Sequence, residues 1–327
     1  MGEPISTFSV IVPVYNGAET LEACLTALVG QDYPQDRFEV IVVDDGSTDE
    51  TAAIASGFPV RLIRLRENRG RIEARVRGAR EARFETLVFN DVRVIPERRL
   101  LKGISERGYE PTIPEVLDYD GSLWGFARFF YLLRCRLYAP YYPLSKDRNE
   151  YWITEKNFDR APKGTGCFVC SRDRWLASQP ENKGKETNDD TRILRMIVAT
   201  KPILRLAGVE VRYIQRTSAR AVLPHTFRRG PLFSDYYLRP GGRYFTLYIA
   251  IWGILALVSL LSALDCRFGK AAVGLGLLIY AGAVAYLSRR LSDLAVVAVC
   301  LPAVAAAFGL GILKRHLAGA HRLLGTR

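Results

Sequence analysis

The sequence predicts an α/β domain on a parallel sheet, followed by apolar helices. Two observations predict the sheet: apolar runs at Phe8–Val14 and 38–43 each stop abruptly at polar residues. Runs this continuous are typical of strands buried on both faces. Because ligands of parallel sheets bind beyond the carboxyl ends of the strands, we expect a binding site there.

Strand and helix patterns alternate up to residue 90. We expect strands at 8–14, 38–43, 60–65 and 86–90, and helices at 18–29, 48–55 and 69–82. Alternation of this kind implies right-handed crossovers and a parallel sheet. Further along, the patterns predict a strand near 163–170, a helix at 188–199 and a pair of strands within 202–214.

The charge balance is basic, with 46 Lys and Arg against 34 Asp and Glu. Such a balance favours nucleic acid, phosphorylated ligands or an anionic membrane surface. The chain has neither an RNA-binding signature nor a basic low-complexity tail, and the residues after 244 are strongly apolar. We therefore expect a membrane partner and no nucleic acid.

Three apolar stretches, at about 245–264, 271–287 and 294–313, are each close to the roughly 20 residues that span a bilayer. The alternative is a buried helical hairpin in a soluble protein. Arg289 and Arg290 favour a cytosolic turn between the second and third stretches. If all three span, the basic tail lies outside, against the positive-inside tendency, so we expect two to three spans.

Residues 123–138 are rich in aromatic side chains, with arginines interleaved. This composition predicts a helix in the membrane interface. The alternative is a core helix whose arginines extend to solvent.

Cys167 and Cys170 form the one close cysteine pair in the chain. On a strand their thiols face opposite sides, which favours core cysteines over a zinc site.

Polar residues at the strand ends are candidates for ligand binding. Tyr15 can stack on a nucleobase, or it caps the core. Asp44 and Asp45 can accept a base N–H or ribose hydroxyls, or they cap the following helix. Arg71 opens a helix, where a phosphate is favoured, although a solvated basic face is the alternative. Asp91 ends the fourth strand and could hold a divalent metal on a diphosphate.

The segments 10–16, 40–49 and 68–79, followed by Asp91, resemble inverting family 2 glycosyltransferases of the GT-A fold in order and spacing. The resemblance covers roughly residues 5–235. It implies a Rossmann-like GT-A domain over 1–235, with a nucleotide-binding half at 1–100 and an acceptor half at 101–235. A membrane domain at 236–327 would follow.

The resemblance also implies roles for residues on the donor side. Pro13, Tyr15 and Asp45 would contact the base and ribose, with Asp44 supporting them. Asp91 would meet Mg²⁺ or Mn²⁺ and the diphosphate. The second aspartate of the family's Asp-x-Asp motif is Arg93 here, and Arg93 would bond the diphosphate directly.

In the second half, the run 188–194 is similar to the family's acidic motif that opens a helix. Asp190 would be the catalytic base, with Asp189 in place of the usual glutamate; the alternative is that both only cap the helix. The run 225–229 lacks the glutamine and tryptophan of processive members. Arg228 and Arg229 would hold the donor diphosphate, or form a basic collar at the membrane.

The resemblance implies a membrane-anchored bacterial enzyme of the inner membrane whose catalytic domain faces the cytosol. It would move a single sugar from a nucleotide-diphosphate sugar to a membrane-associated, lipid-linked acceptor. One alternative is a transferase that extends an exported polysaccharide. Another is a catalytically silent membrane subunit that binds nucleotide-sugars, since the second metal carboxylate is replaced.

Overall fold

The chain folds into two units in the computed structural model, which describes residues 7–117, 124–139, 141, 150–180, 189–242 and 244–324. The first unit takes its described residues from 7–117, 137–180 and 189–215, and the second from 124–136 and 216–324. The predicted domain division at 235 stays a prediction, because compact units and functional domains are different groupings.

A mixed sheet is the centre of the first unit. Its described strands are β1 (Phe8–Val14), β2 (Phe38–Asp44), β3 (Arg61–Arg64), β4 (Thr86–Asn90), β5 (Val94–Pro96), β6 (Thr112–Leu117), β7 (Tyr151–Ile153), β8 (Cys167–Ser171) and β9 (Ile203–Tyr213). The order is β3-β2-β1-β4-β8-β6-β9-β5, and β7 pairs with β9.

The predicted parallel half of the sheet is confirmed. β3, β2, β1 and β4 pair in parallel, with Val14 beside Asp44 at the ends of β1 and β2. All of β1 is buried, as its apolar run predicts. β8 then pairs antiparallel to β4, so the whole sheet is mixed.

Helices connect these strands. The described helices of the first unit are α1 (Ala18–Val29), α2 (Thr51–Ser56), α3 (Arg71–Glu81), α4 (Leu100–Arg107), α6 (Arg172–Ala177) and α7 (Asp189–Thr200), and α5 (Phe126–Leu137) belongs to the second unit up to residue 136. A side chain at Gly78 of α3 would place its Cβ 2.5 Å from Ile11 Cγ2. Glycine therefore lets α3 lie directly against β1.

The predicted pair of strands within 202–214 is wrong, because this segment is the single strand β9. Gly208, whose φ is +72°, lies within this strand. The pairing of β6 with β9 shifts register near this point, and the Gly208 N–H donates to Glu115 Oε2 at 3.0 Å. Gly208 thus lies in a β-bulge, and β9 continues beyond the bulge as one strand.

Cys167 and Cys170 are buried in hydrophobic clusters on opposite faces of β8. Burial raises the pKa of both thiols well above their usual value. Protonated thiols in an apolar environment are poor metal ligands, so the contacts support the interpretation as core cysteines.

The second unit contains α5 and four more helices: α8 (Ala219–Tyr237), α9 (Phe245–Leu264), α10 (Cys266–Leu287) and α11 (Leu291–Leu324). Among the described residues, three helical stretches are long and apolar enough to cross a membrane: Phe245–Leu264, Arg267–Leu287 and Leu291–Leu317. The second begins earlier than predicted, because the side chain of Asp265 accepts the Arg267 N–H at 2.8 Å and caps α10.

Helix α5 packs on the end of α10 and the start of α11. Phe129 and Leu132 share a buried cluster with apolar residues of both helices. The guanidinium of Arg128 donates to both carboxylate oxygens of Asp293, at 2.8 and 3.0 Å. A bidentate buried ion pair fixes this contact, and the interfacial interpretation of 123–138 stays a prediction.

Helices α8 and α11 touch backbone to backbone. A Cβ on Gly230 would lie 2.5 Å from the Phe308 carbonyl oxygen, and one on Gly311 would lie 2.1 Å from the Phe227 carbonyl oxygen. Helices approach this closely only where small residues line the contact.

We expect Gly311→Ala to destabilise the protein, because its methyl group must push α8 and α11 apart. Overpacking of this kind costs about 1–3 kcal/mol. Thermal unfolding in detergent measures the effect. Gly309→Ala is the control, since a Cβ there meets nothing within 4 Å. Equal melting temperatures for the two variants would contradict the close crossing.

Candidate active site

The loops after β1 and β2 are tied together at the carboxyl edge of the sheet. The Asn16 N–H donates to Ser47 Oγ at 2.9 Å, and the Thr48 N–H donates to Asn16 Oδ1 at 2.9 Å. Asn16 adopts a left-handed φ of 48°, which asparagine tolerates better than most residues. Beside it the ring of Tyr15 is 48% exposed, while Pro13 is buried. Tyr15 is thus available to a ligand.

Asp44 and Asp45 are both buried and hold the loops in place. Asp44 Oδ1 accepts the Ser47 N–H at 2.9 Å, and its Oδ2 lies 3.4 Å from Arg64 Nε. Asp45 accepts the N–H groups of Arg69 and Gly70, at 2.7 and 2.8 Å. Neither carboxylate caps α2, whose N-cap residue is Glu50; instead they hold the loop after β2 and the residues before α3. Their binding roles stay predictions.

Two glycines shape this edge. Gly46 has a φ of +74°, and a Cβ there would lie 2.6 Å from the backbone of Glu67. Gly70 has a φ of +100° just before α3 begins. Both positions favour glycine for conformational reasons, and together they bring the start of α3 against the loop after β2.

A buried arginine joins the predicted metal ligand Asp91 and the predicted catalytic base Asp190. Arg75, fully buried on α3, donates from Nη2 to Asp91 Oδ1 at 2.6 Å and from Nη1 to Asp190 Oδ1 at 3.0 Å. Its nitrogens also donate to the hydroxyl and the carbonyl oxygen of Thr165, at 2.7 and 2.8 Å. One guanidinium therefore connects β4, α7 and the loop before β8.

Arg71, one turn earlier on α3, lies against the same carboxylates. Its Nη2 is 2.5 Å from Asp190 Oδ2, and its Nη1 is 4.0 Å from Asp91 Oδ2. The Arg71 side chain is 51% exposed, whereas that of Arg75 is 0% exposed. The site thus holds two arginines and two carboxylates, and Arg71 has the most exposed side chain of the four.

Other predicted site residues lie elsewhere or outside the described side chains. Arg93 donates from Nε to the Ile214 carbonyl oxygen at 3.1 Å, and its Nη1 is 3.6 Å from Glu19 Oε2. Asp189 begins α7, but its side chain is not among those described. Arg228 and Arg229 are exposed on α8 of the second unit.

Sequence reasoning missed Arg75. It treated 69–82 as a basic helix with small residues, and singled out Arg71 alone. The signal was present, because residues four apart on a helix share a face. An arginine one turn after Arg71, on a helix that must lie against the sheet, points to the same strand ends.

The protein offers few ligands to a divalent metal. Among the described residues, no group of three His, Cys, Asp or Glu side chains could hold one. Asp91 Oδ1 is taken by Arg75, and its Oδ2 is the remaining oxygen. Magnesium is commonly held by one or two carboxylates together with substrate phosphates and waters. These residues therefore fit an ion carried mainly by the diphosphate of a substrate.

Comparison with known proteins agrees with this geometry. A model of the family described as Glycosyl transferase family 2 matches residues 9–112. Glycosyltransferase AglE of Haloferax volcanii is 39% identical over 103 residues, which cover 30% of this chain and 34% of that protein. Dolichyl-phosphate beta-glucosyltransferase of Drosophila melanogaster is 39% identical over 101 residues, covering 27% and 31%. The matches span about a third of each relative's length.

A solved structure extends the likeness along the chain. The mannosyltransferase PcManGT from Pyrobaculum calidifontis, in complex with GDP-Man and Mn²⁺, superposes with a TM-score of 0.58. It is 19% identical and covers 96% of this chain and 89% of its own, which shows a shared fold. Residues 9–112 therefore match the glycosyl transferase family 2 model, the fold is shared with that mannosyltransferase, and three apolar helices lie towards the C-terminal end of the described residues.

Proposed function

We propose that the protein is an inverting glycosyltransferase that moves one sugar from a nucleotide-diphosphate sugar to a lipid-linked acceptor. One observation carries this proposal. Asp91, which follows β4, and Asp190, at the start of α7, both accept hydrogen bonds from Arg75. In this proposal Asp91 acts on the donor side and Asp190 is the base, and a transfer between two substrates requires two such groups close together.

The donor nucleotide would lie at the edge formed by β1 and β2. The exposed ring of Tyr15 offers a surface on which a base can stack, over the buried Pro13. Asp45 and, behind it, Asp44 would orient the base and ribose through the loop backbone that they hold. The diphosphate would then extend towards the start of α3, where Arg71 offers positive charge.

Asp190 would take the proton of the acceptor hydroxyl as that oxygen attacks the anomeric carbon, opposite the departing diphosphate. General bases of this kind act through a carboxylate oxygen within hydrogen-bond reach. In the structure Asp190 Oδ2 is paired with Arg71. An arriving diphosphate would draw Arg71 away and expose this oxygen, while the buried Arg75 keeps the carboxylate oriented.

A Mg²⁺ or Mn²⁺ ion would be held by Asp91 together with the diphosphate. When bound, it would neutralise charge on the leaving group. Arg93, Arg228 and Arg229 are proposed to add positive charge for the diphosphate, and Asp189 to support Asp190. The Mn²⁺ complex of PcManGT supports a metal in this fold.

The acceptor is proposed to be lipid-linked because three apolar helices follow the transferase fold. A relative that shares part of the domain is named for dolichyl phosphate. We place the protein in the bacterial inner membrane with its catalytic domain in the cytosol, where nucleotide-sugars are made.

We expect Asp190→Asn to lower turnover by about 10²–10⁴-fold, because the amide cannot accept the hydroxyl proton. Donor affinity should stay near that of the wild type, since the base is not needed for binding. Nucleotide release measures turnover, and calorimetric titration measures donor affinity. Asp173→Asn, an exposed change on α6, is the control. Wild-type turnover in Asp190→Asn would contradict the role of this residue.

Arg71→Ala and Arg75→Ala should differ in kind. Loss of the exposed Arg71 should raise KM for the donor and leave thermal stability almost unchanged. Loss of Arg75 leaves two carboxylates without their buried partner, at a cost of about 3–5 kcal/mol. Steady-state kinetics and thermal unfolding separate the effects. Similar melting temperatures for both variants would contradict the assignment.

Metal removal tests the role of Asp91. We expect a chelator to abolish transfer and added Mn²⁺ to restore it, because the diphosphate leaves poorly without neutralisation. Asp91→Asn should need a higher Mn²⁺ concentration for half-maximal activity, which a metal titration measures. Undiminished transfer in excess chelator would contradict a metal and favour neutralisation by arginines alone.

A further inference from the structure

The start of α9 and the end of α11 meet at the end of α8. The ring of Tyr248 stacks on that of His316, with centroids 5.5 Å apart. Phe233 of α8 contacts both Tyr244, at 5.8 Å, and Phe308, at 5.3 Å. These contacts fix the first turn of one apolar helix beside the last turns of another.

This contact limits how often the chain crosses a membrane. After three complete crossings, the start of the first helix and the end of the third lie on opposite faces, separated by a hydrocarbon core of about 30 Å. Tyr248 and His316 are in contact, so they lie at one depth. The number of complete crossings between them is therefore even.

The start of α11 lies on the same side as its end. It is held to α5 by the ion pair of Arg128 with Asp293. Leu117 and Tyr141, which flank α5 in sequence, both belong to the first unit. A helix of 12 residues is too short to span a bilayer. The chain therefore enters and leaves α5 on one side of the membrane, and the turn between α10 and α11 lies on that side.

We propose that the chain crosses the membrane twice, through α9 and α10, and that α11 lies along the membrane surface without crossing it. Helices α9 and α10 have 20 and 22 residues, enough to cross out and back. None of the residues of α9 is buried by protein, so lipid is the remaining apolar environment. Both ends of α11 then lie on the same side of the membrane.

The two faces of α11 fit this position. One face packs against protein through Val297, Cys300 and Gly311. The other exposes large apolar side chains, including Val299 and Leu310. A helix that lies between interfacial helices and the hydrocarbon needs one face that packs on protein and one apolar face towards lipid. A spanning helix, in contrast, needs no polar helix along one side.

The charges agree as well. Arg289 and Arg290 at the start of α11, and Lys314 and Arg315 near its end, lie on one side in this topology. Arg267 and Lys270 lie at the α9–α10 turn on the other side, and the four basic residues named above outnumber them. The basic end of α11 then lies on the more basic side, and the conflict raised by three crossings disappears. The basic groups are placed where anionic lipid headgroups concentrate.

Impermeant maleimide labelling of single cysteines in sealed membrane vesicles tests the proposal. Three probes are introduced into a Cys266→Ser background: Lys102→Cys in the first unit, Leu264→Cys at the α9–α10 turn, and a cysteine appended after Arg327. Lys102 and Leu264 are both exposed. The background protein without added probes is the control, since the described native cysteines are buried.

We expect the probe at 102 and the appended cysteine to label from the same side, and the probe at 264 from the other. Labelling of the appended cysteine together with position 264 would show three crossings and overturn the proposal. Labelling of all three from one side would show that α9 does not cross and would overturn the proposal equally. Detergent-permeabilised vesicles, in which every probe must react, confirm that each introduced cysteine is reactive.

Discussion

The buried guanidinium of Arg75 is the contact on which the candidate site depends. It is closed off from water, and its nitrogens reach two carboxylates and one threonine from three separate elements. A charge in this position is tolerated only while its partners surround it. The same partners would repel one another without it. The positions of Asp91 and Asp190 therefore depend on each other, because both carboxylates are held by the same guanidinium.

Arg71 can exchange its carboxylate partner for a ligand, whereas Arg75 cannot. The formal charges of the two arginines and the two carboxylates cancel, and each carboxylate is paired with an arginine. A diphosphate brings negative charge and competes for the exposed guanidinium, which moves at little cost because solvent already reaches it. Arg75 cannot respond in this way, since burial holds it. One helix thereby supplies both the fixed and the exchangeable cation.

Local patterns in the sequence predicted much of the fold. β1 and β2 are apolar runs that end in polar residues, and these features are readable without tertiary information. The pattern within 202–214 predicts two strands, and only the pairing with β6 shows that the single strand β9 continues past Gly208. Arg75 was missed for a related reason. A charged residue on a basic helix looks exposed until the close packing of Gly78 on Ile11 presses α3 against the sheet.

The glycine contact between α8 and α11 has a mechanical consequence. With no side chain between Gly230 and the backbone of α11, the two helices cannot slide past each other without separating. The two helices therefore move together as a rigid pair. Arg228 and Arg229 lie on α8, and an apolar face lies on α11. A change in bilayer tension or thickness that tilts α11 must also tilt α8 and displace these arginines.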